Sequence, residues 1–232
     1  MSEARGESDA APRRAVVAAG TGRYSDPWHP FLKTSQAIAG VLADAGWQVS
    51  VDDDLDGALT RLDGVDLLVV NAGDPWRGGE TGFGAAEAST LGLTAAVDAG
   101  IGILAVHNAV STLRDHDLWR ALLAGEWQAE VSWHPPIGPI AVPVDGDHAV
   151  TAGIGLVEAF DELYTDLHID PGVEVLAAHV LEGRRHPLVW VREHGMTRVV
   201  VSAFGHDERS FESESHRMLL RQAAAWAARR PA

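Results

Sequence analysis

Gly102-Ile103-Leu104-Ala105-Val106-His107-Asn108-Ala109 is the stretch whose reading decides the fold. Ile101 to Val106 is apolar apart from Gly102, the pattern of a strand covered on both faces. The small residues around His107 allow a tight turn, and a helix is expected from Ser111 to Leu123. In a parallel α/β sheet the ligand crevice opens at the carboxyl ends of the strands, so His107 is expected at its mouth. Ala105 and Ala109 flank it two residues to each side. That is the steric pattern of the elbow that presents a nucleophilic serine or cysteine in many hydrolases. Histidine at the tip is not a usual nucleophile.

Toward the N-terminus, Ala15 to Gly20 reads as a short buried strand, followed by the loop Thr21 to Pro30. Phe31 to Ala45 has helical periodicity, with Phe31, Ile38, Val41 and Leu42 on one face and Gly46 as a stop. Trp47 to Val51 reads as a strand and Leu55 to Leu62 as a short helix. Val65 to Asn71 is uniformly apolar and so a central strand. A polar, glycine-rich loop (Ala72 to Gly84) and a helix (Ala85 to Ala99) lead into the opening stretch. Strand and helix alternate at short spacing, and right-handed crossovers turn that into an α/β fold: a doubly wound, mainly parallel sheet with helices on both faces. Beyond Leu123, Ile137 to Val144, Val173 to Leu181, Pro187 to Arg192 and Thr197 to Phe204 read as extra mixed strands on one edge of the sheet. Ser213 to Arg229 is a closing amphipathic helix with Met218, Leu219, Ala223 and Trp226 facing in. Residues 1–13 are expected to be a disordered tail ahead of a single domain over 14–232.

A formal net charge of −15 argues against nucleic acid and against an anionic membrane surface as partners. The absence of cysteine removes thiol catalysis, disulfides and thiolate metal sites together. No apolar run reaches the roughly 18 residues that span a bilayer. The polar N-terminus lacks the apolar core of a signal peptide, and a cytoplasmic location is expected.

His29, Asp74, His107 and His206 each lie just beyond the carboxyl end of an expected strand, where distant residues converge. For His206 this holds only if the last strand runs parallel to its neighbour. The chain has eleven histidines; His116, His179, His194 and His216 sit in charged or solvent-like contexts and read as surface residues. His107 and His206 suit a general acid or base, or a metal ligand. No compact metal motif is present, so a site would be assembled from separate loops, with zinc, manganese or iron as its ion. Trp47, Trp190 and Trp226 fit core positions, whereas Trp28, Trp76 and Trp133 lie in polar loops. The loop tryptophans suit either a platform for a sugar ring or loop packing. In Asp161-Glu162-Leu163-Tyr164-Thr165-Asp166-Leu167-His168, an extended backbone would put Glu162, Tyr164, Asp166 and His168 on one face. That face fits a polar pocket or the solvent side of an edge strand.

With these residues in order, the chain resembles the ThuA-like family, named for trehalose utilisation. The resemblance spans Val16 to Ala228. It runs through the loop with His29, the turn at His107, Gly125-Glu126-Trp127, Trp133-His134-Pro135, Asp147-His148 and Asp161 to Pro171. Pro187-Leu188-Val189-Trp190 and Ser202-Ala203-Phe204-Gly205-His206-Asp207 close the series. Two positions depart from it: His148 is followed by Ala149 rather than proline, and the final turn reads Gly195-Met196-Thr197-Arg198.

The resemblance implies a flavodoxin-like fold of the class I glutamine amidotransferase type, with His107 where amidotransferases carry their catalytic cysteine. Glutaminase activity by that route is excluded. It further implies a place in the use of trehalose or a related disaccharide, through proton abstraction or elimination on a sugar or an oxidised keto-sugar. A carbonyl acidifies its neighbouring C–H, so a histidine base and a polarising metal or donor suffice. In that scheme His107 or His206 is base or ligand, with His134 a third candidate ligand, and Glu162 is the partner carboxylate. Trp28 and Trp133 hold the ring, and His29, Asp74, His134, Tyr164 and His168 are the remaining substrate contacts. The alternatives are a metal hydrolase and a non-catalytic sugar-binding or regulatory protein on the same scaffold. Homodimerisation through the C-terminal half is a further expectation.

Overall fold

The computed structural model describes residues 12–229 apart from 78, 80, 81 and 83. The expected disordered tail falls almost wholly outside the described residues. The elements follow in chain order: β1 (Arg14–Ala19), α1 (Phe31–Asp44), β2 (Gln48–Asp52), α2 (Leu55–Ala58), β3 (Leu67–Asn71), α3 (Glu87–Asp98), β4 (Gly102–Val106) and α4 (Asp117–Leu123). The second half holds β5 (Gly125–Glu126), β6 (Gly138–Pro143), β7 (Leu156–Asp161), β8 (His168–Ile169), β9 (Glu174–Leu181), β10 (Arg184–His194), β11 (Thr197–Ser202) and α5 (Glu214–Ala227).

The main sheet has the order β2-β1-β3-β4-β11-β10-β9. β1, β2, β3 and β4 pair in parallel, as the alternating pattern requires. β3 and β4 are buried along their whole length because helices cover both faces, which is why neither shows polar alternation. β11 runs parallel to β4, with Ile103 opposite Val199, while β10 and β9 add antiparallel strands outside it. The open question about the last strand is thereby answered, and its carboxyl end lies on the same edge as that of β4.

α5 lies across β4 and β11. The approach is close: a Cβ on Gly102 would meet the Ala227 backbone at 2.6 Å. Leu219 and Ala223 point inward as expected, but Met218 and Trp226 are only half buried, and His216, Leu220 and Ala224 share the inner stripe. Truncating a fully buried leucine of this layer such as Leu104 to alanine would cost about 2–5 kcal/mol.

Two expectations need correction. The helix from Ser111 starts late, because the chain first makes a 3-10 turn at His107–Val110 and Leu113 then takes φ +48°, which breaks a helical path. The strand expected at Ile137 to Val144 does not join the main sheet. As β6 it pairs antiparallel with β7 in a separate hairpin, tied to β9 by a single bridge between Val144 and Ala177. Another two-stranded piece, β5 with β8, covers the end of α4.

Candidate functional site

Three loops and the hairpin bring the site together at the carboxyl edge of the sheet. Beyond β1, Asp26 shapes the turn: its Oδ1 accepts the backbone N–H groups of Trp28 and His29, both at 2.9 Å. The same carboxylate receives His29 Nδ1 at 2.7 Å on Oδ2. Beyond β4, His107 sits at φ +50°, a left-handed conformation unusual for a side-chain-bearing residue. This is the sharp strand-to-helix elbow expected from the sequence. It is packed from behind by Gly205, which has φ +121° and where a Cβ would press tightly on Val106 and Phe211. β11 delivers His206, and β7 ends at Asp161 so that Glu162 enters from outside the main sheet.

The hydrogen bonds fix a proton on one ring nitrogen of His29 and of His107. His107 Nδ1 lies 2.9 Å from the Ala203 carbonyl oxygen, which only accepts, so Nδ1 carries the proton and Nε2 presents a lone pair. The Asp26 carboxylate claims the Nδ1 proton of His29 in the same way. The two Nε2 atoms face each other at 3.1 Å, and the Tyr164 hydroxyl stands 2.9 Å from that of His107. Glu162 Oε2 lies 3.7 Å from His107 Nε2 and 3.2 Å from His206 Nδ1, while Oε1 is 3.5 Å from His134 Nδ1.

One ligand atom from each of His29, His107, Glu162 and His206 falls within 4.8 Å of the others. Two ligands each about 2.1 Å from a tetrahedral ion stand about 3.4 Å apart, so spacings of this size suit a cation. The outer nitrogens of His29 and His107 are already held by a carboxylate and a carbonyl, the arrangement that orients metal-ligating imidazoles. His134, expected as a ligand, stays outside this group: its Nδ1 turns to the Pro135 carbonyl at 3.0 Å and to the far oxygen of Glu162. His29 and Glu162 complete the set instead.

Burial, and after it the neighbouring His29, holds His107 well below the ordinary imidazole pKa, so its lone pair is available at neutral pH. Burial pulls His206 the same way, but the hydrogen bond and charge of Glu162 outweigh it and raise the group. Burial would raise Asp26, yet its bonds to His29 bring it below the usual carboxylate range.

His29, Glu162 and His206 line a cavity of about 560 Å³, a size suited to a small ligand, with His107 buried behind them. Trp28, Asp74, His134 and Tyr164 line it as the sequence led one to expect. Trp133 and His168 do not. Asp166 takes φ +55°, which ends the alternation expected along Asp161 to His168 and turns the chain away. Trp133 Nε1 instead donates to Asp166 at 3.1 Å, and His168 Nε2 pairs with Asp170 at 3.0 Å. The second aromatic wall is Trp127, packed edge-on against Tyr164 with ring centroids 4.8 Å apart. Asp26, Asn108, Ser111 and Arg77 also face the cavity, and none stood out in the sequence. Asp26 was the most legible of these, three residues ahead of His29 in a tight Asp-Pro turn.

Three histidines read as surface residues are buried. His116 accepts or donates to Ser89 at 2.9 Å, within a network of Arg23, Asp56 and Asp115. His179 stacks on His186, and His216 lies beneath Ser210. His148 packs its ring on Trp226, away from the cavity.

The fold is an amidotransferase-like α/β sheet that carries His107 at the sharp elbow beyond β4. The ThuA family, described as trehalose utilisation, matches residues 14–227, and the chain belongs to it. Membership supports a role in carbohydrate utilisation. Among solved structures it is similar to a ThuA-like protein from Parabacteroides merdae, with TM-score 0.76 and 17% identity over 94% of this chain and 90% of that one. A ThuA-like protein from Bacteroides uniformis gives TM-score 0.70 and 15% identity over 97% and 95%. A glutamine amidotransferase from Thermotoga maritima gives 0.54 and 10% over 94% and 99%, which shows the shared fold. No curated protein matches the sequence. Among the described residues no helix is long and apolar enough to cross a membrane.

Proposed function

We propose that the protein is an enzyme of carbohydrate utilisation that acts on a sugar or oxidised keto-sugar by metal-assisted acid/base chemistry. His29, His107, Glu162 and His206 hold a divalent ion, with zinc, manganese or iron suited to three imidazoles and a carboxylate. The observation that carries this reading is the pair of opposed Nε2 atoms on His29 and His107, with Glu162 and His206 gathered around them. Two ring nitrogens at that distance share either a proton or a cation, and a cation also accounts for the other two side chains. The ion would supply Lewis acidity, which acidifies the C–H beside a carbonyl.

The chain's own groups divide the remaining work. His107 is 1% exposed and its lone pair turns inward, so it serves as a ligand rather than as the base. Proton transfer falls to His134, the cavity-wall imidazole outside the ligand group, next to Glu162 Oε1. Trp28 and Trp127 offer faces to the apolar side of a ring, and Asp74 and Asn108 offer hydrogen bonds to its hydroxyls.

Metal analysis of the purified protein, followed by turnover of 3-keto-sugars by His107→Ala and His206→Ala, tests the proposal. A stoichiometric divalent ion and loss of turnover in both variants is the expected result. Full activity in both would overturn it. Sugar binding with neither ion nor turnover would favour the non-catalytic alternative.

A further inference from the structure

Asp161, the last residue of β7, is 1% exposed, and none of the chemistry above uses its carboxylate. Its donors come from three places. Oδ1 accepts the backbone N–H of Glu162 at 2.8 Å and that of His206 at 3.2 Å. Oδ2 accepts the backbone N–H of Gly205 at 2.7 Å and the hydroxyl of Ser210. Behind Ser210 stands His216, whose Nδ1 is 2.9 Å from that hydroxyl and 3.0 Å from the Ser210 carbonyl.

The two residues joined in this way come from different sheets. Glu162 follows β7, which pairs only with β6, whereas His206 follows β11 of the main sheet. Their side chains nonetheless meet at 3.2 Å. A carboxylate accepts on both oxygens and so takes all four donors at once. An amide of the same shape would turn an NH₂ toward Gly205 N–H and Ser210, leaving donors opposed in a buried site.

We propose that Asp161 is a positioning residue that sets the backbones of Glu162 and His206 in one register, so that their side chains reach the same point as His29 and His107. The proposal rests on the reading of those four residues as one ligand set. It makes the docking of the β6–β7 hairpin a precondition for the site.

Cobalt(II) is the probe, because its visible spectrum reports its ligands. Asp161→Asn and Ser210→Ala are compared with the unaltered protein and with Glu162→Gln and His206→Ala. Asp161→Asn should bind cobalt about tenfold or more weakly, the scale of losing a partner that orients metal ligands. Its spectrum should shift toward those of Glu162→Gln and His206→Ala. Ser210→Ala, which removes one donor to Asp161 and touches neither candidate ligand, should keep affinity within about twofold and the spectrum unchanged. Unchanged cobalt affinity and spectrum in Asp161→Asn would overturn the proposal. So would an equal loss in Ser210→Ala, which would mark a general packing effect. If the unaltered protein takes up no cobalt, the ligand reading falls. Asp161 is then judged by the ring NMR signals of His206, which must move in Asp161→Asn for its positioning role to stand.

Discussion

His29 and His107 set their Nε2 atoms 3.1 Å apart, while a proton of each ring is committed on its far side, to Asp26 and to the Ala203 carbonyl. In the proposed ligand set a divalent cation lies with both nitrogens. Either His29→Ala or His107→Ala should therefore abolish stoichiometric zinc binding by calorimetry, with a larger loss than that of any outer partner. Retained stoichiometric binding in both variants would show that the ion, if any, sits elsewhere.

Asp26 holds the Nδ1 proton of His29 and so turns Nε2 toward His107. Asp26→Asn preserves a side-chain acceptor for the Trp28 and His29 backbone but offers His29 Nδ1 a weaker partner. Metal affinity should fall about 10–100-fold with little change in melting temperature. Competition against a chelator of known strength measures it.

Acid should destabilise the protein through its buried histidines. His107, His116, His179 and His216 are all held below the ordinary imidazole value, by burial first in each case. An imidazole in the unfolded chain titrates near about 6.5, so as pH falls the unfolded state takes up protons before the folded one. The stability these groups give is complete above that value. It declines below it, by up to about 1.4 kcal/mol per pH unit for a fully buried group such as His107. His206 works oppositely: its folded value is raised, so its contribution is complete in acid and is lost as pH rises through that value. Four groups against one predict a melting temperature lower at pH 5.5 than at pH 7.5. A flat or rising trend on acidification would contradict the balance.

The exchange of Trp133 for Trp127 as the inner cavity wall is directly testable. Trp127→Ala should weaken sugar binding about fivefold, in line with an aromatic contact of about 1 kcal/mol. Trp133→Ala should leave binding nearly unchanged, since its ring is tied to Asp166 outside the cavity. Titration of intrinsic fluorescence with a disaccharide series separates the two.

Gly205 leaves little space for a side chain and holds a backbone conformation that strains one. A Cβ there would lie 3.0 Å from Val106 Cγ1 and 3.2 Å from Phe211, at a φ that other residues avoid. Gly205→Ala should cost about 1–3 kcal/mol from backbone strain alone and lower the melting temperature by several degrees.

The sheet and its elbow were legible because they rest on burial. An apolar run such as Val65 to Asn71 admits few structures, and its end predicts where a crevice opens. His29, His107 and His206 were found as strand-end residues for that reason, without any local motif. The remaining site lay in backbone details that composition does not encode. A left-handed residue at Asp166 ends the alternation that keeps Glu162 and Tyr164 inside, and its carboxylate holds the Trp133 indole outside the cavity. The buried histidines escaped notice because their partners are distant in sequence. His116 sits among charged residues on the page, yet meets Ser89 and Asp56 in space. Trp127 belongs to a short pairing of β5 with β8, too brief to show a period.

The placement of β11 between β4 and β10 also governs how the molecule comes into being. β4, with His107 at its tip, leaves the ribosome long before Thr197–Ser202, the segment that must pair with it. Until then it is an apolar strand with one side unsatisfied, a template for the wrong neighbour. The chain made ahead of β11 therefore holds three of the four candidate ligands, all but His206, and an open edge beside them. Fragments ending before β11 should need a chaperone rather than merely lack activity.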